Sequence, residues 1–445
     1  MPTDTTQTSR PFLPTSDWRS YANLLADNPH YRRFWISGVI SQMGNWFNYI
    51  AIFVLLNKLT GSGHAVGWFL IAKFIPTSIL GPTAGVIADR LPRKIILITA
   101  DLLRIFIVLA FLLIHSADQV WLVYLLAFVQ EAVWTFYDPA RRASVPNICR
   151  PEELNVATAL SGATWSIMLA FGAAAGGFVT AVFNWQTAIV FDAVTFMISA
   201  AIMATITLPP PPPRPAADRK TGWRVFTGFN DIIEGGRYVA AHRDVAALLL
   251  VKSGWALGGG ILVLLTWFGE NVFTGFGAGS GSGILYSCRG LGAALGPILA
   301  WRLFGETRAA MYRAIGLSFF AATIAYLLFS QAQTIVMAAA FVLLGHLGGS
   351  VQWVFSTNLL QRLVPDQFRG RVFAAEMALL TFILSLSTWF TGAALDSGLD
   401  PRTVAVRLAL LFIIPGAIWS GWVIVGGKGS PSCPPPPVLK NQLRD

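Results

Sequence analysis

Nine titratable side chains within long apolar runs of this chain are candidates for chemistry: Lys73, Asp101, Arg104, Glu131, Asp192, Lys252, Arg289, His346 and Glu376. A charge carried into hydrocarbon costs roughly 2.5 to 3.5 kcal/mol on insertion scales, so such residues face a partner or a water-filled cavity. Two kinds of chemistry suit them: holding a proton and binding an anion. Glu131 is the first proton candidate, because an acid at mid-run depth, between apolar and aromatic neighbours, can take up and release a proton as its access to water changes. His346 is the second, since imidazole titrates near pH 6.5. Its glycine-rich setting, Gly345, Gly348 and Gly349, also suits a histidine that only packs and hydrogen-bonds. Asp192 is the third, although a bond to a neighbouring helix is its expected role.

The cations Lys73, Lys252 and Arg289 are candidates for a substrate cavity with an affinity for anions. The other reading is pairing with Glu131 or Asp192, which the sequence leaves open. Asn45, Asn48, Trp255 and Trp353 add polar and aromatic surface suited to a partly hydrophobic solute; Trp46, Phe47 and Tyr49 extend it. Most other tryptophans are expected as interfacial anchors. Asp101 and Arg104 stand at i, i+3 and can pair on one helix. Glu376 lies near the start of its run, where a helix N-terminus favours an anion, and is expected at a gate. Arg407 falls in the first turn of its run and can snorkel outward.

These side chains need helices to carry them. Apolar runs cover 34–56, 66–88, 95–114, 120–137, 156–183, 185–208, 245–268, 282–304, 311–330, 334–360, 372–394 and 404–425. Each is long enough, or nearly so, to cross about 30 Å of hydrocarbon as a helix. The chain is 54% hydrophobic and 12% charged, against roughly 25% charged in soluble proteins, which excludes a soluble multidomain protein. The reading is therefore an all-α integral membrane protein. A tail (1–33) precedes six helices (34–208), a linker (209–244), six more helices (245–425) and a proline-rich tail (426–445).

Charge sets the orientation. With the N-terminus inside, alternate connections carry eighteen lysines and arginines, and the opposite ones carry only Lys58 and Arg402. Basic residues resist translocation, so both termini and the linker are expected in the cytoplasm, in a plasma membrane. The net charge of +10 is then a matter of topology and lipid headgroups, and nucleic-acid binding is not needed. The linker breaks helix at Pro209 to Pro213, and Phe226, Phe229 and Ile233 suggest an amphipathic helix on the membrane surface. Residues 1–30 hold no apolar core of a signal peptide. Cys149, Cys288 and Cys433 show no metal or pairing pattern. Phosphate-binding loops, hydrolase constellations and paired-histidine metal motifs are absent from the sequence, so no cofactor, no metal and no enzymatic reaction are expected.

The halves look like a parallel repeat. Trp134 precedes Pro146 as Trp353 precedes Pro365, by twelve residues, and Gly81 and Pro82 are echoed by Gly296 and Pro297. Between the second and third runs stand Gly85, Asp89, Arg90, Arg93 and Lys94. This resembles the loop between helices 2 and 3 of the major facilitator superfamily, Gly-x-x-x-Asp-Arg-x-Gly-Arg-Arg/Lys, with Pro92 in place of a glycine. The stretches 138–155, 191–200 and 361–373 resemble its macrolide-efflux and enterobactin-exporter branch. The chain departs from that branch at Asn45, where an acid is common, and at Ala173, where helix 5 commonly has proline.

The resemblance implies two pseudo-symmetric six-helix bundles, with the substrate site between them near mid-membrane. It implies a secondary transporter, most often an exporter of a small compound driven by proton exchange, and a signature loop in which Asp89 faces the cytoplasmic start of helix 11. A monomer is expected. Uptake or lipid translocation, and a non-transporting sensor or assembly partner on the same scaffold, are the other readings.

Overall fold

A computed structural model describes residues 18–88, 90–208, 229–305 and 307–426. Among them are twelve helices long and apolar enough to cross a membrane, and no strand. A short α1 (Trp18–Asp27) leads into α2 (Pro29–Thr60), α3 (Gly63–Ala88), α4 (Arg93–Ala110), α5 (Val120–Ile148), α6 (Leu154–Ile167), α7 (Ala173–Val182) and α8 (Trp185–Ala204). After the linker come α9 (Phe229–Ala241), α10 (Arg243–Leu257), α11 (Ile261–Trp267), α12 (Ser280–Phe304), α13 (Arg308–Ser330), α14 (Ile335–Leu363), α15 (Asp366–Asp396), α16 (Pro401–Leu411) and α17 (Ile413–Gly426). Three spans are pairs: α6 with α7, α10 with α11, and α16 with α17. A wide π-helical turn at Met168–Gly172 joins the first pair.

Side-chain caps begin many of these helices and satisfy amides that hydrocarbon cannot. Asn28 accepts from the Tyr31 amide, Asn184 from Thr187, Thr334 from Met337 and Asp400 from Thr403. The Asn184 cap starts a fresh helix where two apolar runs almost merge. Several boundaries extend beyond the apolar runs. The helix of the short fourth run continues through Pro139 and Pro146 to Ile148, since apolarity ends before helicity does. The eleventh begins at Asp366, just after Pro365.

The linker helix differs in how it docks. Phe226 lies outside the described residues. Gly235 sits against Arg371, and the Tyr238 ring stacks on Phe368 at 4.5 Å. This face covers the start of α15, and Ile233 on the opposite face stays exposed.

The two halves approach each other closely at one end. A Cβ on Gly392 would lie 2.6 Å from the Gly63 carbonyl oxygen, and one on Gly67 would lie 2.9 Å from that of Thr388. On the other flank, a Cβ on Gly177 would meet the Gly279 carbonyl at 2.8 Å, and one on Gly283 that of Ala173 at 2.9 Å. Small residues permit this approach of α3 to α15 and of α7 to α12. A carboxylate closes the seam: Asp396 accepts from the Ser62 hydroxyl, from the Gly63 amide at 2.8 Å and from the His64 amide at 3.3 Å. It thereby caps α3 from the other half, where the helix dipole favours an anion. Asn271 donates to Asn57 across the same seam at 3.2 Å. Toward the opposite end, a Cβ on Gly81, Gly85, Gly162 or Gly370 would meet nothing within 4 Å. One end is clasped, and toward the other these glycines have open space beside them.

Removing the clasp should loosen that seal. Asp396→Ala is expected to speed hydrogen exchange of the Gly63 and His64 amides roughly fivefold, as for the loss of an exposed charged acceptor. Exchange should rise with it across 386–395 on the facing helix. Unchanged exchange on both sides would show that the glycine contacts alone hold the seam.

Candidate functional site

Helix register puts four of the candidate residues in one layer. Lys73 lies ten residues into α3, Glu131 eleven into α5, Arg289 nine into α12 and His346 eleven into α14. All four helices start at the clasped end, so each side chain sits about 14 to 16 Å below it. Lys73 and Glu131 form an ion pair at 3.3 Å, each side chain 17% exposed. Of the partners left open by the sequence, Glu131 is the one in contact with Lys73. Arg289 Nε donates to His346 Nε2 at 3.1 Å, and His346 Nδ1 stands 2.7 Å from the Tyr326 hydroxyl. One pair belongs to the N-terminal half and the other to the C-terminal half.

Aromatic rings fill the space between. Lys73 Nζ is 5.8 Å from the Tyr49 ring, Tyr49 is 5.8 Å from Tyr286, and Arg289 is 5.7 Å from the Tyr286 ring. Trp46 packs against Tyr49 and Tyr286. Trp255 meets His346 edge-on at 5.5 Å. This layer can bind a solute with an apolar body and a charged group, because it offers both ring faces and charges.

The remaining candidates lie apart from it. Lys252 and Glu376 pair at 2.7 Å, with side chains 4% and 0% exposed. Thr357 accepts from Lys252 at 2.9 Å, and the Trp353 ring lies 4.6 Å from its ammonium. Glu376 is ten residues inside α15, roughly 15 Å from the helix start, so it pairs with Lys252 rather than standing beside a helix N-terminus. Asp101 and Arg104 pair on α4, both fully buried, with Ser199 donating to Asp101 at 2.7 Å. Arg104 is walled by Phe196, Tyr137 and Trp134.

Asp192 is fully buried against Gly44, and neither carboxylate oxygen has a hydrogen-bond partner among the described residues. Asn45 bonds back to the Ser41 carbonyl at 2.9 Å, and Asn48 is buried with its amide nitrogen unpartnered.

In the signature loop, Asp89 lies outside the described residues. Arg93 donates to the Ala143 carbonyl at 2.6 Å and Lys94 to that of Ala204 at 2.7 Å. These bases tie α4 to α5 and α8. Tyr286, Tyr326 and Asp396 escape the sequence reading. Tyr286 stands at i, i+3 to Arg289, a spacing that marks it as a neighbour on the same helix face. Tyr326 and Asp396 carry no such signal.

Breaking the Lys252–Glu376 pair leaves an uncompensated charge or an unmet polar group, at a cost of about 3 to 5 kcal/mol. Glu376→Gln is therefore expected to lower the Tm in detergent. The double variant Lys252→Met, Glu376→Gln should melt above that single variant. A single variant as stable as the native protein would show that water reaches the pair.

The family model described as Major Facilitator Superfamily matches residues 34–387. The MFS-type transporter YkuC of Bacillus subtilis is 26% identical over 226 residues, 50% of this chain and 52% of the relative. Macrolide efflux protein A of Streptococcus pyogenes is 25% identical over 226 residues, 49% of this chain and 53% of the relative. The chain thus spans about half the length of these curated relatives. A bacterial homolog of the human lysosomal transporter Spinster, crystallised inward-facing and unoccupied, superposes with a TM-score of 0.69 at 13% identity, covering 91% of this chain and 99% of that one. At that identity the likeness speaks for the fold alone. With four fifths of its residues under one family model and the matching twelve-span architecture, this chain belongs to the Major Facilitator Superfamily.

Proposed function

We propose that this protein is a secondary transporter that exports a small, partly hydrophobic compound by alternating access, in exchange for protons. The observation that carries this reading is the layer holding Lys73, Glu131, Arg289 and His346 between two halves that are clasped at one end and have free space beside several glycines toward the other. A site of that kind is loaded from the open end and emptied once the clasp gives way. The positive-inside bias supports placing the open end, both termini and the linker in the cytoplasm. Export also draws support from the similarity to macrolide efflux protein A. A monomer in the cell membrane suffices for this cycle, because both walls of the site come from one chain.

Exposure separates the proton candidates. Asp192 is enclosed with no exposed surface. His346 is held by Arg289 and Tyr326. Glu131 keeps 17% of its side chain exposed and has a cation as its partner. Protonation of Glu131 removes half of that ion pair and frees Lys73, so proton binding and the layer's charge are linked. This is the coupling that an exchanger needs.

Two measurements test the reading. In intact cells, Asp218→Cys on a cysteine-free background should resist a membrane-impermeant external thiol reagent; ready labelling would reverse the orientation. In proteoliposomes, Glu131→Gln should lose transport driven by a proton gradient while substrate binding stays within about twofold, because the amide keeps shape but releases no proton. Uphill transport by Glu131→Gln, or native transport indifferent to an uncoupler, would remove proton coupling through this residue.

A further inference from the structure

Four cations lie deep within the spans, and three of them have a carboxylate. Lys73 has Glu131, Arg104 has Asp101 and Lys252 has Glu376. Arg289 has none within 4 Å among the described residues. Its recorded partners are neutral: His346 through Nε, and the ring of Tyr286. Because Arg289 Nε–H donates to His346 Nε2, that ring nitrogen holds a lone pair and the imidazole is uncharged. His346 Nδ1 then carries the ring proton, toward the Tyr326 hydroxyl at 2.7 Å or the Val342 carbonyl at 3.2 Å. The histidine thus fixes one edge of the guanidinium from behind without cancelling its charge.

The terminal Nη groups donate no hydrogen bond to a described residue, and the side chain is half-buried at the layer between the halves. A planar guanidinium with its outer fork free matches two oxygens of an oxyanion. An unpaired charge at this depth is costly, and a bound anion would remove the cost. Beside the fork lie Tyr286, Tyr49 and Trp46, with ring centroids 5.3 to 6.0 Å apart. They suit an apolar or aromatic body attached to the charged group.

We propose that Arg289 is the anchor for an anionic group on the transported compound, so that the substrate class is an amphiphilic oxyanion: a carboxylate, sulfonate or phosphate on an apolar body. This rests on the transporter reading for its meaning as a substrate site. The recognition chemistry itself stands on the unpaired guanidinium, its histidine support and the adjoining rings. A free solute and an anionic lipid headgroup share that chemistry.

Binding to the purified full chain separates the possibilities. The probes are 2-naphthoate, 2-naphthamide and 2-naphthylmethylamine, titrated in a neutral detergent by calorimetry, with quenching of tryptophan fluorescence as a second readout. The naphthoate is expected to bind roughly tenfold more tightly than the amide, as for one charge-assisted hydrogen-bonded contact, and the amine weakest. Arg289→Gln should level naphthoate with naphthamide. Arg289→Lys, which keeps the charge but loses the fork, should retain part of the preference and so separates charge from any effect on folding.

The same titration in nanodiscs names the source of the anion. Loss of naphthoate binding when phosphatidylglycerol is added to phosphatidylcholine supports a lipid headgroup at Arg289. Undiminished binding supports a free solute. Equal affinity for all three probes, no binding of naphthoate, or a preference that survives Arg289→Gln would overturn the assignment. Equal affinities would leave proton-coupled export of a neutral compound standing. Conversely, a naphthoate preference that depends on Arg289 holds even where flux assays find no proton coupling, since binding is read without flux.

Discussion

Hydrocarbon offers no water to a stranded charge, and the arrangement of this bundle follows from meeting that constraint. Asp101 and Arg104 pair on α4 and reach Ser199 on α8. Lys73 and Glu131 join α3 to α5. Lys252 joins α10 to α14 and α15 through Thr357 and Glu376. Arg289, His346 and Tyr326 join α12, α14 and α13. Each of these networks stays within one six-helix half. Among the described residues, the contacts that cross between the halves include another kind: glycine against carbonyl, Ser78 against Thr381, Ser287 against the Ala170 carbonyl, and the Asp396 clasp. Buried charge pairs tie helices within each half, and these mostly neutral contacts lie between the halves.

Depth and exposure then divide the charges by use. The Asp101–Arg104 and Lys252–Glu376 pairs are closed to solvent, so their gain is the placement of helices. Trp134 covers the first cation and Trp353 the second. These are the two tryptophans that mark the repeat in sequence, so the matched positions do similar work in both halves. The Lys73–Glu131 pair and Arg289 keep some exposure at a common depth. There a change of protonation or the arrival of an anion alters a charge that water or a solute can reach.

Much of this was legible in the sequence, and the rest was hidden for definite reasons. The twelve spans could be read because hydrophobic length is a local property. The charged residues within the spans could be listed because a charge in an apolar run is conspicuous. The i, i+3 pairing of Asp101 with Arg104 could be read because both lie on one helix. Partners on different helices could not: Lys73 and Glu131 are 58 positions apart, and Lys252 and Glu376 are 124 apart. Glu376 reads as close to a helix start because hydrophobicity begins later than the helix, which runs from Asp366, just after Pro365. Tyr326 is one aromatic among many in apolar sequence. Asp396 resembles any loop acid until the fold brings it to the N-terminus of α3.

The difference between the two kinds of contact also decides what can move. Leaving one member of a buried ion pair without its partner costs about 3 to 5 kcal/mol, so a cycle that broke several of them would be slow. Parting a neutral hydrogen bond costs about 0.5 to 1.5 kcal/mol, because water can replace it at an opening seam. Shifting a two-state equilibrium from almost all of one form to almost all of the other takes about 5.5 kcal/mol of differential binding. On the proposed cycle, a solute at Arg289 and the rings around Tyr49, together with a proton on Glu131, would have to supply that difference. The glycines, hydroxyls and exposed Asp396 carboxylate described at the seam are contacts of the kind that such a sum can part. The halves behind them, held by pairs that face no solvent, are stiff enough to move as bodies when they part.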